Sequence, residues 1–156
     1  MIPEKVRKTL SKYGLEAVEF EPGSTPTAEL AARKFGVEVG QIAKSLLFIA
    51  KDGTPFIVIC AGDRKVVSSK LKKITGKKSR MANAEETKKL TGFYPGGVCP
   101  FGIENIKIYI DKSLASYETI YPAAGTDASG VPMTFEQLVE ITGATICDVS
   151  VLPEET

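Results

Sequence analysis

The 156-residue chain contains no histidine. That absence excludes Ser-His-Asp and Cys-His nucleophilic catalysis, the H-E-x-x-H zinc sites, and the side chain that most often shuttles protons near pH 7. Cysteine is scarce. Cys60, Cys99 and Cys147 are widely spaced and form no C-x-x-C pair, which argues against a zinc ribbon or a thioredoxin-type centre. Their odd number argues against a disulfide framework. Cys60 and Cys147 lie in apolar, strand-like runs, where a free cysteine is ordinarily a core residue. Long apolar stretches are also missing, since LLFIA and PFIVICAG are far too short to span a bilayer. The opening MIPEKVRKTL has no apolar segment of the kind a signal peptide needs. A cytoplasmic protein with no membrane partner is therefore expected. Neither G-x-G-x-x-G nor G-x-x-x-x-G-K-[ST] occurs, so no nucleotide-fold fingerprint is present, and no metal or cofactor is predicted. Any hydrolysis must rely on a lysine, a carboxylate, backbone amides or the substrate's own groups.

What is present suits one soluble domain over residues 1–156. Hydrophobic residues make up 43% and charged residues 25% of the chain, enough to build a real core at this length. The net charge is only +1, but it is unevenly spread. Residues 64–89 carry ten Lys/Arg against Glu85 and Glu86, a net +8, whereas residues 104–156 carry two lysines against nine acids, a net −7. Such asymmetry marks either a side facing a polyanion or ordinary solvated helix faces.

Turn and cap signals divide the chain. Residues 3–13 read as a helix with Pro3 in its first turn and Gly14 at its end. AVEFE (17–21) reads as a strand, and Thr27 caps a helix running to Phe35 and closed by Gly36. KSLLFIAK (44–51), Asp52-Gly53 and TPFIVICA (54–61) form the strongest hairpin signal, and the second arm, apolar on both faces, reads as a central strand. Ser68–Ile74 is helical, KSRMA (78–82) a short strand, and Asn83 with Glu86 a capping box for a helix reaching Leu90. IKIYID (106–111) and ETIYPAA (118–124) are strand-like, and GTDASG (125–130) is a loop. Thr134 with Gln137 caps a helix to Thr142, and ATICDVS (144–150) closes the pattern as a strand. Short helices interleaved irregularly with strands, the first pair antiparallel, predict an α+β domain with a mixed sheet.

Two features carry chemistry. Strand alternation puts Ile42, Lys44, Leu46 and Phe48 on one face. A lysine in such a row is either at a strand end, reaching for water, or held in a pocket with an anionic partner or ligand. The second feature is TGFYPGGVCPFG, residues 91–102. Glycines there let backbone N–H groups approach a ligand without a Cβ, and prolines limit the loop's freedom. Preorganised amides can hold a developing oxyanion. Alternatively, the stretch is a tight helix-to-strand connection that buries Val98 or Phe101.

Taken in order, QIAKSLLF, AGDRKVVSSKL, TGFYPGGVCPFG, ETIYPAAGTDASG and MTFEQLVEITGA resemble the YbaK/prolyl-tRNA editing family of aminoacyl-tRNA deacylases over nearly the whole chain. The resemblance implies a curved, mixed sheet flanked by short helices. It also implies hydrolysis of the ester joining a wrong amino acid to the tRNA 3′ end, most readily tRNA-Pro carrying alanine or cysteine. Lys44 and Gly97 become the catalytic candidates. Gly96, Val98, Cys99, Pro100 and Asp127 become the substrate-binding ones. In this family the terminal ribose hydroxyl of the tRNA is thought to assist the attacking water, which suits a chain without histidine. The implied partner is mischarged aminoacyl-tRNA, with an aminoacyl-tRNA synthetase as a further one. Arg64, Lys65, Lys70 and Lys73 become candidates for its phosphate backbone.

Two departures from the family pattern bear on the substrate. Cys99 stands where other members have serine or histidine, and reads as a pocket wall rather than a nucleophile, because no histidine can serve as its base. GTDASG lacks the arginines and the following Gly-Leu-Asp of cysteinyl-tRNA-clearing members. Gly130 takes the aspartate's place, which leaves Asp127 as the substitute. A binding module of the same fold without catalysis, and a small-metabolite binder unrelated to RNA, are the competing readings.

Overall fold

The computed structural model describes residues 1–153. Helix α1 (Glu4–Ser11) begins after Pro3, whose carbonyl accepts the Val6 and Arg7 N–H groups. Pro3 thus caps the helix from one position before the first turn expected of it, with extended ψ. β1 (Val18–Glu19) follows, then α2 (Ala28–Phe35), where Thr27 Oγ1 accepts the Leu30 N–H at 3.2 Å. The predicted hairpin is β2 (Ile42–Ala50) and β3 (Pro55–Ala61), antiparallel with Lys44 opposite Cys60 and Phe48 opposite Phe56. After it come β4 (Lys65–Val66), α3 (Ser68–Thr75), β5 (Ser79–Met81) and α4 (Ala84–Thr91). The Asn83/Glu86 capping box is formed in both directions. β6 (Lys107–Asp111), β7 (Tyr121–Pro122), β8 (Ser129–Gly130), α5 (Phe135–Thr142), β9 (Thr145–Cys147) and β10 (Ser150–Val151) complete the order.

The main sheet runs β5-β2-β3-β6-β9, with β7 alongside the start of β2. β2 is antiparallel to β3 and β5. β3–β6, β6–β9 and β2–β7 are parallel. The sheet is mixed, as the sequence predicts. β3 is central and buried on both faces, because its two apolar faces serve different cores. Ala43, Leu47, Ile57, Ile59, Ile108 and Ile110 pack on one side, under Phe93, Phe101 and Leu138. Leu46, Phe48, Phe56 and Val58 pack on the other, against Leu71 and Val149. Burial of each such side chain contributes about 1.5–3 kcal/mol.

Four expectations are corrected. The strand predicted over 17–21 shrinks to β1, whose partner is β8, so the end of the GTDASG loop is itself a strand. The strand predicted over 118–124 pairs with β2 only at Tyr121–Pro122, since Pro122 has no N–H for a ladder. Lys65–Val66, read only as part of a basic segment, forms a strand with β10. The strand predicted over 144–150 is broken into β9 and β10 because the Val149 N–H leaves the sheet for the Asp111 carboxylate.

That carboxylate is 1% exposed. Its Oδ1 accepts from Val149 N–H at 2.7 Å, and its Oδ2 from the Ser150 hydroxyl at 2.7 Å and the Ser113 N–H at 3.1 Å. Burial alone would raise its affinity for a proton, but donation from Ser113, Val149 and Ser150 outweighs that and holds its pKa below the usual aspartate value. Asp111→Ala leaves buried donors unpaired and is expected to cost roughly 3 kcal/mol in urea unfolding near pH 7. A group whose folded pKa is depressed stabilises above its unfolded pKa and loses that contribution as pH falls through the folded value. The gap between wild type and variant should therefore shrink below about pH 4. A gap under about 1 kcal/mol at neutral pH, or one independent of acidification, contradicts this account.

Candidate functional site

β2 is not paired along its whole outer edge. β7 covers Ile42–Ala43, β5 covers Phe48–Ala50, and the next backbone contact is Ala82 N–H to the Leu47 carbonyl at 2.9 Å. Residues 44–46 have no strand neighbour on that side. Main-chain groups in a strand alternate in direction. Ile42 and Ala50 bond toward β3, through Gly62 and Thr54, and Leu47 bonds the other way. The Ser45 main chain therefore faces the notch.

A cavity of about 470 Å³ occupies this notch. Lys44, Ser45 and Leu46 form its floor, Pro26, Thr27 and Ala28 one wall, and Pro95, Gly96 and Val98 another. Phe35, Ile42 and Tyr121 supply apolar surface. The two walls touch, since a Cβ on Gly96 would sit 3.4 Å from Pro26. Gly96 also has φ +92, a conformation that only glycine adopts without strain.

Lys44 is half-buried, and its Nζ donates to the Arg64 carbonyl at 2.7 Å. Arg64 is itself fixed. Its Nε donates to the Ser150 hydroxyl at 2.8 Å and its Nη2 to the Ser150 carbonyl at 3.1 Å. Because the Ser150 hydroxyl donates to Asp111, a continuous chain runs from the buried carboxylate to the lysine. An ammonium has three protons to donate, and one is taken by Arg64, so Lys44 keeps donors for a ligand in the cavity.

The loop candidates divide. The Gly97 N–H is taken by the Tyr94 carbonyl at 3.0 Å, and a Cβ on Gly97 would lie 2.8 Å from Thr126 backbone, so this glycine permits a close backbone crossing. Among the described residues no acceptor takes the N–H of Gly96 or Val98. Gly97 lies outside the lining of the Lys44 cavity, as do Pro100, which is buried, and Cys99. Cys99, expected as a pocket wall, is 0% exposed and packs into the core with Phe93 and Phe101. Its thiol donates weakly to the Phe101 carbonyl, and burial pushes its pKa up to about 12. Burial likewise raises Cys60 to about 11 and Cys147 to about 12. Asp127 is also outside the cavity. Its carboxylate accepts the Gly23 N–H and its carbonyl the Thr25 N–H, which fastens the segment leading into α2.

Among the polyanion candidates, Arg64 is spent on Ser150, and Lys70 lies 3.4 Å from Asp148. Lys65 and Lys73 are exposed on β4 and α3. Sequence reasoning missed Ser45. It lines the cavity, while its hydroxyl is buried with no hydrogen-bond partner among the described residues. A polar residue beside Lys44 in an otherwise apolar strand was the available signal.

Residues 22–141 match the family model described as aminoacyl-tRNA editing domain. The chain is 37% identical over 140 residues to YwhH of Bacillus subtilis (strain 168), a protein whose name assigns no function, and the match covers 88% of each. It is 25% identical over 126 residues to the "Putative Cys-tRNA(Pro)/Cys-tRNA(Cys) deacylase EbsC" of Enterococcus faecalis, with 80% of this chain and 77% of that one covered. A crystal structure described as a "putative trans-editing enzyme for prolyl tRNA synthetase" superposes with a TM-score of 0.86 at 35% identity, covering 95% of this chain and 96% of the other. Among the described residues no helix is long and apolar enough to cross a membrane.

Two measurements test the loop geometry. A thiol-reactive dye at pH 8 should leave Cys99 unlabelled in the native protein and label it after denaturation; rapid native labelling would contradict its burial. Gly97→Ala should lower stability by about 1–3 kcal/mol through the clash with Thr126, and an unchanged urea midpoint would refute that crossing.

Proposed function

The chain belongs to the aminoacyl-tRNA editing domain family, and on that premise we propose that it is a trans-acting deacylase, hydrolysing the ester of a mischarged tRNA. The observation that supports this reading is that Lys44, Gly96 and Val98 line one cavity, with no acceptor taking the Gly96 and Val98 N–H groups among the described residues. In the proposed step, water adds to the ester carbonyl and the carbonyl oxygen becomes an oxyanion. The Gly96 and Val98 amides and the Lys44 ammonium stabilise that charge, preorganised in a site that excludes most water. Collapse of the intermediate breaks the bond to the ribose oxygen. The water's proton passes to that oxygen, which leaves as the tRNA 3′-terminal hydroxyl, and the amino acid leaves as its acid. With no histidine in the chain, the neighbouring ribose hydroxyl of the tRNA relays the proton.

Gly97 takes a supporting role in this reading. Its bond to Tyr94 closes the turn that presents Gly96 and Val98. Cys99 acts from beneath, by filling the core under the loop. Ser45 contributes an edge main chain to the cavity. Likeness to the "Putative Cys-tRNA(Pro)/Cys-tRNA(Cys) deacylase EbsC" and to the "putative trans-editing enzyme for prolyl tRNA synthetase" supports, as the substrate proposed, a small wrong amino acid, alanine or cysteine, on tRNA-Pro. Lys65, Lys70 and Lys73 meet the acceptor phosphates, and Asp127 holds the entry segment.

The test is a deacylation panel: tRNA-Pro charged with alanine, cysteine or serine, and other mischarged tRNAs. Faster loss of the amino acid from at least one of them is expected, with Lys44→Ala slowing it on the order of a hundredfold at unchanged thermal stability. Charged-tRNA binding without turnover on any substrate would make the chain a binding module instead. Full activity of Lys44→Ala would remove the lysine from the step.

A further inference from the structure

Tyr94 is 68% exposed, at the tip of the loop that walls the cavity. It is not loose. Lys88 Nζ lies 4.3 Å from the centre of its ring, and the same ammonium donates to the Gly92 carbonyl at 2.9 Å. The Tyr94 carbonyl is held by the Gly97 N–H, and Pro95 follows directly. The ring is thus a fixed aromatic plane with a cation against it and most of its surface in water. A second cavity of about 420 Å³ lies beside it, its lining including Lys88, Phe93, Tyr94, Pro95, Gly97 and Asp127. Pro95 lines both this cavity and the one that holds Lys44. Pro95 thus joins the surface under the Tyr94 ring to the Lys44 cavity.

A rigid, solvated aromatic beside a lysine is the arrangement on which an unpaired nucleobase stacks while its phosphate meets the cation. A folded protein has little reason to display such a ring for its own stability, because an exposed aromatic buries almost no area. We infer that Tyr94 and Lys88 form a stacking platform for an unpaired nucleotide of the RNA strand whose 3′ end occupies the Lys44 cavity. The inference rests on the deacylase reading for the identity of the strand, but stacking does not require turnover.

The test is therefore a binding measurement on uncharged RNA. A hairpin with a single-stranded 3′ tail of four nucleotides and the same hairpin with a blunt end are titrated against wild type, Tyr94→Ala, Tyr94→Phe and Lys88→Ala at one fixed salt concentration. Wild type should prefer the tailed hairpin, and Tyr94→Ala should lose about ten-fold in affinity for it while binding the blunt hairpin as wild type does. Tyr94→Phe, which keeps the ring, should retain the preference, and Lys88→Ala should weaken it. No tail preference in the wild type, an unaffected Tyr94→Ala, or a Tyr94→Phe as poor as Tyr94→Ala would each overturn the platform. Loss of tail preference with ester hydrolysis intact would overturn the platform alone. Retained preference with no hydrolysis of any mischarged tRNA would sink the deacylase reading and leave the platform standing.

Discussion

The buried carboxylate of Asp111 organises what lies around it. A charge removed from water must be repaid in hydrogen bonds, and here the donors come from two separate segments: Ser113 after β6, and the adjacent Val149 and Ser150 at the start of β10. Taking the Val149 N–H ends β9, and the redirected chain forms β10 against β4. Ser150 then binds Arg64, and the Arg64 carbonyl receives Lys44. A half-buried lysine on a strand face that is otherwise Leu46 and Phe48 would ordinarily bend toward solvent. Its Nζ is held instead by a relay anchored at a position the solvent does not reach.

The second constraint is the incomplete pairing of β2. A sheet edge with unpaired N–H and C=O groups invites another chain unless it is covered. Here β5 and β7 cover its ends, the Pro26–Ala28 segment and the glycine-rich loop stand in front, and residues 44–46, which have no strand neighbour on that side, line a cavity. The cavity is therefore lined by the unpaired stretch of β2, with Lys44, and by the loop residues Gly96 and Val98.

Local chemistry announced much of the fold. The Asp-Gly hairpin, the capping boxes at Asn83 and Thr134 and the Thr27 cap all form where the residue pattern puts them, because each depends on neighbours within a few positions. The errors share a physical cause. β1, β4, β7, β8 and β10 are two residues long, and their existence depends on partners 79 to 112 residues away. No local pattern encodes such a partner. The loop was legible as rigid and glycine-rich, and Lys44 as out of place in an apolar row. Which amides stay free was not legible. Gly97 and Gly96 are adjacent and chemically identical, and only the Tyr94 carbonyl and the Thr126 backbone distinguish them.

By itself, the residue order determined the mixed α+β character, the hairpin with its central strand, the family to which the chain belongs and the exclusion of histidine chemistry. These follow from composition, short-range periodicity and motif order, which are properties of one strand of text. Tertiary structure alone decided that Cys99 faces the core, that Arg64 is spent holding Lys44 in place, that Asp127 fastens a neighbouring segment, and that Ser45 opens onto the cavity. Each of those outcomes depends on which way a side chain or amide points after distant segments have met. That direction is set by competition among hydrogen-bond partners and by close packing, neither of which exists until the chain has folded.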